Sequence, residues 1–92
     1  HFDYEQPFEG APDFAIEVAS PGQTSGVLLD QVADFLNYGT EEVWLIYPMR
    51  RQIYRYLRTE NAPDVFHDRD TITSTLFPGL VINVADLFVV PS

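Results

Sequence analysis

Apolar and polar positions alternate along Asp13-Phe14-Ala15-Ile16-Glu17-Val18-Ala19 with the two-residue period of a pleated strand. Phe14, Ile16 and Val18 share one face. Asp13, Ala15, Glu17 and Ala19 share the other, which is small apart from its charges. A strand is predicted over Phe14–Ala19, and Ser20-Pro21-Gly22 breaks it, opening a polar loop that runs to Gly26. The period then becomes helical. From Val27 to Tyr38, Leu28, Val32, Phe35 and Leu36 form one inward stripe while Asp30 and Asp34 face water, with Ser25 or Gly26 near the start and Gly39 as the stop. Gln31 falls at the margin of that stripe, beside Leu28 and Phe35, where it either caps the core edge or reaches into a cleft beside the sheet. Glu42–Tyr47 is apolar on both faces, as an interior strand covered on both sides would be. Strand, helix and strand make a βαβ unit with a right-handed crossover, so the two strands run parallel.

Beyond this unit the pattern is weaker. Pro48-Met49-Arg50-Arg51 turns the chain, and Gln52–Arg58 returns antiparallel as an aromatic, β-prone strand. Residues 60–64 form a loop, Val65–His67 a short strand, and Thr71–Leu76 a further weak strand. Phe77-Pro78-Gly79 is a turn before the apolar segment Leu80–Val84, and Asn83 is placed to cap a last turn through Asp86-Leu87-Phe88. His1–Gly10 follows neither period and reads as an extended lead-in segment.

Composition narrows the class. With 92 residues the chain is one domain or part of one, and its 46% hydrophobic and 14% aromatic content argues for a packed core rather than disorder. No apolar run approaches the roughly 20 residues that span a bilayer, and no signal-peptide pattern opens the chain, so a cytoplasmic protein off the membrane is expected. The absence of cysteine excludes disulfides and thiolate metal sites. Fourteen acidic residues stand against five basic ones, all of them arginine, for a net charge of −9. That balance opposes attraction to a phosphate backbone, so charge does not support DNA as a partner. Four of the arginines cluster from Arg50 to Arg58, and a solvated hairpin face accounts for them better than a binding patch.

Glu17 is the position with chemistry to explain. Mid-strand burial penalises an unpaired carboxylate by several kcal/mol, so it requires a metal ion, an arginine or solvent. The flanking alanines leave room for a ligand, and the break at Ser20-Pro21 puts Glu17 near a strand end, where α/β sheets keep their sites. His67 has no second His, Cys or close Glu at ligand spacing and reads as a surface or boundary histidine. Neither an internal repeat, a glycine-rich phosphate loop nor a nucleophile–His–acid arrangement is present.

Several ordered blocks resemble one family. Glu9-Gly10-Ala11-Pro12-Asp13-Phe14-Ala15-Ile16-Glu17-Val18-Ala19-Ser20-Pro21, then Phe35, Gly39, Glu42-Val43-Trp44-Leu45-Ile46 with Pro48, and finally Phe77-Pro78-Gly79-Leu80 with Leu87-Phe88 are similar to the bacterial restriction endonuclease family called Uma-two, within the PD-(D/E)XK nuclease superfamily. The resemblance runs from about Phe8 to Phe88. It implies an α/β, restriction-endonuclease-like core with a mixed sheet, of which residues 1–92 form a single partial domain, the C-terminal half. It also implies a Mg²⁺- or Mn²⁺-dependent endonuclease that hydrolyses phosphodiester bonds of DNA.

Carried onto this chain, the resemblance makes Glu17 the catalytic acid and metal ligand, with the carbonyl of Val18 as its companion on the ion, and puts Gln31 where the family has a helical lysine. The acidic residue before that lysine aligns with Val27, and the aspartate ending the tryptophan-bearing strand aligns with Tyr47. Asp13 lies four residues from Glu17, about 13 Å along a strand, too far to share an ion bound at ~2.1 Å. The family's partner aspartate lies upstream of the matched region. A glutamine offers no positive charge, and the chain contains no lysine, so the alternative is a catalytically inert nuclease-fold protein acting as a binding or dimerisation module. A half-domain of this kind is expected to leave the first strand's edge or an apolar face such as Phe14, Ile16 and Trp44 uncovered, and to associate with itself or with a missing segment.

Overall fold

The computed structural model describes residues 11–88, and the predicted lead-in segment over His1–Gly10 lies outside them. The elements run β1 (Phe14–Val18), α1 (Ser25–Asn37), β2 (Glu42–Tyr47), β3 (Gln52–Leu57), β4 (Asp64–Phe66), β5 (Thr71–Thr73) and β6 (Val81–Asn83), with short 3-10 helices at Pro48–Arg50 and Val84–Phe88. Four strands form a mixed sheet in the order β1-β2-β3-β4, and β5 and β6 pair as a separate antiparallel ribbon.

The βαβ expectation holds. β1 and β2 pair in parallel, with Phe14 opposite Glu42 and Glu17 opposite Leu45, and β3 returns antiparallel to β2. Helix α1 starts two residues before the predicted Val27 because the Thr24 hydroxyl accepts from the Val27 N–H at 3.2 Å and satisfies a donor of the first turn. Beyond its end, Gly39 takes φ +107°, a conformation that disfavours any side chain.

Two hydrophobic clusters lie on opposite faces of the sheet. On one, Leu28, Val32 and Phe35 of α1 pack against Ala15, Val43 and Leu45. Full burial of each large apolar side chain there contributes about 1.5–3 kcal/mol. On the other face the β5–β6 ribbon and the last 3-10 helix bring Ile72 and Val84 against Trp44, Ile46 and Ile53. Arg55 fastens that layer: one guanidinium nitrogen donates to the Thr73 carbonyl at 2.7 Å and the other to Asp64 at 2.7 Å, while the group lies 5.0 Å over the Phe66 ring.

The faces of β1 divide differently from the pattern. The small face, through Ala15, is the one covered by the helix, whereas on the Phe14 face Ile16 and Val18 remain 51% and 53% exposed. The ribbon layer packs on β2 and β3, and on β1 Phe14 joins the same cluster, meeting Trp44 of β2 and Phe77 of the β5–β6 loop edge-on at 5.2 and 5.6 Å. Of the residues expected to be uncovered, Ile16 is open to solvent, but Trp44 is 1% exposed. β5 stops at Thr73 rather than Leu76, because Ser74 and Thr75 turn to serve a buried carboxylate. Asn83, expected to cap the last turn, instead accepts a cross-strand bond from the Thr71 hydroxyl at 3.2 Å.

Candidate functional site

Glu17 sits on the helix-covered face of β1, directly opposite Leu45, and is half-buried. Among the described residues no hydrogen bond or ion pair reaches its carboxylate. Val18, the final residue of β1, places its backbone at the carboxyl end of a parallel strand, with the Ala19 N–H donating to the Ile46 carbonyl at 2.9 Å just beyond. Gln31 projects from α1 at the edge of the same layer and is half-buried, with its Oε1 fully enclosed and without a hydrogen-bond donor among the described residues. Glu17 on β1 and Gln31 on α1 are not joined by a hydrogen bond. Asp13 is exposed at the bend before β1, and its carbonyl accepts from the Glu41 N–H at 2.9 Å.

A cleft of about 130 Å³ opens at the carboxyl ends of β1 and β2, beside the start of α1. Its walls include Ala19, Ser20, Ser25, Leu28, Tyr47 and Arg50. Ala19 lies two residues beyond Glu17 on the same strand face, so the carboxylate stands behind the cleft rather than in its lining. The Arg50 guanidinium lies 4.7 Å over the Tyr47 ring.

The most heavily engaged carboxylate is a different one. Glu42, fully buried at the start of β2, accepts from Trp44 Nε1 at 2.6 Å through one oxygen. Its other oxygen accepts from Ser74 Oγ at 3.1 Å, the Thr75 N–H at 2.9 Å and Thr75 Oγ1 at 2.8 Å. Burial pushes this carboxyl up, but the bonds from Thr75, Trp44 and Ser74 outweigh it and hold the group below its ordinary value. With its lone pairs occupied, Glu42 acts as a tie between β2 and the segment after β5. Sequence reading passed over it, although a glutamate two residues before a tryptophan in an otherwise apolar interior strand was a signal that the pair shares a face.

Arg51 and Arg58 pair with Asp68 and Glu41 at 2.7 Å on the solvated hairpin face expected for this cluster, whereas Arg55, paired with Asp64 at 2.7 Å, departs from that expectation because its side chain is largely buried under the ribbon layer. Exposed His67 neighbours Asp70, with Nδ1 3.7 Å from the carboxylate.

The test for a divalent ion is whether the donors suit it. The described residues contain no group of three or more His, Asp or Glu side chains able to enclose a metal. Magnesium does not require one, since it commonly takes one or two carboxylates and fills the rest of its shell with water and phosphate oxygens. An uncommitted half-buried carboxylate beside a strand end fits that share of the ligands; Glu42, already saturated, does not. No helix among the described residues is long and apolar enough to cross a membrane.

Comparison with known proteins agrees with the architecture. A family model described as "Uma2: Putative restriction endonuclease" matches residues 2–85. A crystal structure of a putative nuclease belonging to DUF820 from Anabaena variabilis superposes with a TM-score of 0.75 at 29% sequence identity. The match covers 85% of this chain and 44% of that one, so this chain spans less than half the length of its structural relative. No curated protein matches.

Proposed function

The chain belongs to the Uma2 family, and from that premise we propose that it supplies the Glu17 carboxylate to a divalent-metal site for phosphodiester hydrolysis of DNA. The observation that carries this reading is the contrast in engagement: Glu17 is a half-buried acid of the parallel βαβ unit with no partner among the described residues, and, unlike Asp34, which shares that state on α1, it stands near the strand end where such folds place their ligands. Glu17 and the Val18 carbonyl would hold Mg²⁺ or Mn²⁺, with the other ligands drawn from water, phosphate oxygens and any carboxylate outside residues 11–88. Bound there, the ion would lower the pKa of a ligated water and neutralise charge on the phosphate. Gln31 contributes an amide that can orient water or a phosphate oxygen by hydrogen bonding, but no charge. Turnover by this chain is therefore expected to be weak.

Calorimetric titration of Mg²⁺ and Mn²⁺ into wild type and Glu17→Gln, with a plasmid-nicking assay in parallel, tests the reading. Binding and nicking that are both reduced in the variant are expected. Equal ion affinity in the two proteins would remove the metal site.

The second reading, an inert nuclease fold that binds or dimerises, is favoured by one arrangement. β1 forms an outer strand of the described sheet, with Ile16 and Val18 exposed on it. Light scattering separates the two readings: a concentration-dependent dimer without nicking activity supports the module, and a monomer that nicks DNA supports the nuclease.

A further inference from the structure

We propose that the cleft at the carboxyl ends of β1 and β2 binds a phosphate group, with Arg50 as its cation. The inference takes its substrate class from the nuclease reading, and the side chains supply the rest. In a chain with a net charge of −9 and no lysine, arginine is the permanently charged side chain that can meet a phosphate. Three of the five arginines are already paired with carboxylates at 2.7 Å. Arg69 lies on the turn between β4 and β5, remote in the chain from the cleft. Arg50 lines the cleft itself, and among the described residues no carboxylate lies within ion-pair distance of it.

Its guanidinium rests over the Tyr47 ring, which restrains it without using its fork of N–H donors. The cavity is also lined by the hydroxyl-bearing residues Ser20 and Ser25, and Ser25 opens α1, whose first turn contains no acidic residue to repel an anion. A cleft of about 130 Å³ is large enough to admit a phosphate group. Ala19 in the wall is two residues past Glu17, about 7 Å along the strand, and an ion at Glu17 would bind its own ligands at ~2.1 Å. The cleft therefore grips a phosphate beside the one at Glu17, which makes Arg50 a substrate-binding residue distinct from the metal ligand.

The test is a titration of ¹⁵N-labelled protein with inorganic phosphate, at fixed ionic strength and without divalent ions. A thymidine oligonucleotide, with and without a 5′-phosphate, serves in further arms. Amide resonances of Ser20, Gln23 and Ser25 are expected to shift with phosphate. Arg50→Gln should weaken binding about tenfold or more, the loss typical of a charge-assisted hydrogen bond, and Arg50→Lys should retain part of the affinity.

Mn²⁺ affinity, measured on Arg50→Gln, should stay at the wild-type value, so loss of the phosphate site is distinguishable from loss of the metal site. Shifts with both oligonucleotides assign the phosphate to a nucleic-acid strand; shifts with inorganic phosphate and the 5′-phosphorylated oligonucleotide alone assign it to a terminal phosphate. Unmoved cleft amides, or wild-type phosphate affinity in Arg50→Gln, would overturn the proposal.

Discussion

Glu42 and Glu17 are the same residue type on neighbouring parallel strands, and they face opposite sides of one sheet. On the ribbon side, Glu42 is fully buried and receives four hydrogen bonds, from a tryptophan, a serine and a threonine that donates twice. On the helix side, Glu17 is half-buried with none among the described residues, and Gln31 of α1 keeps an enclosed oxygen unsatisfied. The lesson is that burial of an acid does not by itself mark a site. An acid whose lone pairs are all occupied is structural, and one left open beside a strand end is free to meet a ligand.

That contrast can be broken in order of expected effect. Glu42→Ala leaves the Trp44 indole N–H unpaired in the core, frees three part-buried donors of Ser74 and Thr75, and should lower unfolding free energy by about 2–4 kcal/mol. Chemical denaturation measures it, and a loss below about 1 kcal/mol, the net worth of a single ordinary hydrogen bond, would refute the tie. The pH dependence follows from the same group. Because its carboxyl is held below its ordinary value in the folded chain, its stabilising contribution is present above the unfolded-state value and disappears as pH falls through the folded one. Denaturation curves of wild type and Glu42→Ala, taken from neutral pH downward, should therefore converge at acid pH; a gap that stays constant would count against the assignment.

The helix-side acid is expected to behave in the opposite way. Glu17→Gln should change stability by no more than about 0.5 kcal/mol, as at surface positions generally, while removing ion affinity. A large loss of stability would mean that Glu17 is structural after all. The smallest effect is at Gln31: replacing it with leucine removes an unsatisfied oxygen and adds apolar surface to the α1 stripe. Thermal unfolding should show a change near neutral or a gain of up to about 1 kcal/mol. A clear destabilisation would reveal a partner for that amide.

Much of the βαβ core was legible because local periodicity carries it. The stripe Leu28, Val32, Phe35 packs inward as read, Glu42–Tyr47 has the predicted bounds, and the parallel and antiparallel pairings follow from connection length. Boundaries shifted where a side chain outside the periodic pattern decided them, as with Thr24 at the start of α1 and Ser74 after β5. The candidate site was legible only in part. Glu17 announced itself as a charge inside an apolar strand, whereas Arg50 looked like one of four equivalent hairpin arginines until its neighbours found carboxylates and it did not.

The sequence by itself determined which residues alternate, where the helix runs and that this chain has arginine but no lysine to meet an anion, since these are properties of spacing and composition. Only the tertiary structure decided which face of β1 the helix would cover, and which of two glutamates would be saturated. Those outcomes depend on contacts such as Glu42 with Thr75, thirty-three positions apart, and no local period encodes the partner of a side chain that the fold brings in from so far along the chain.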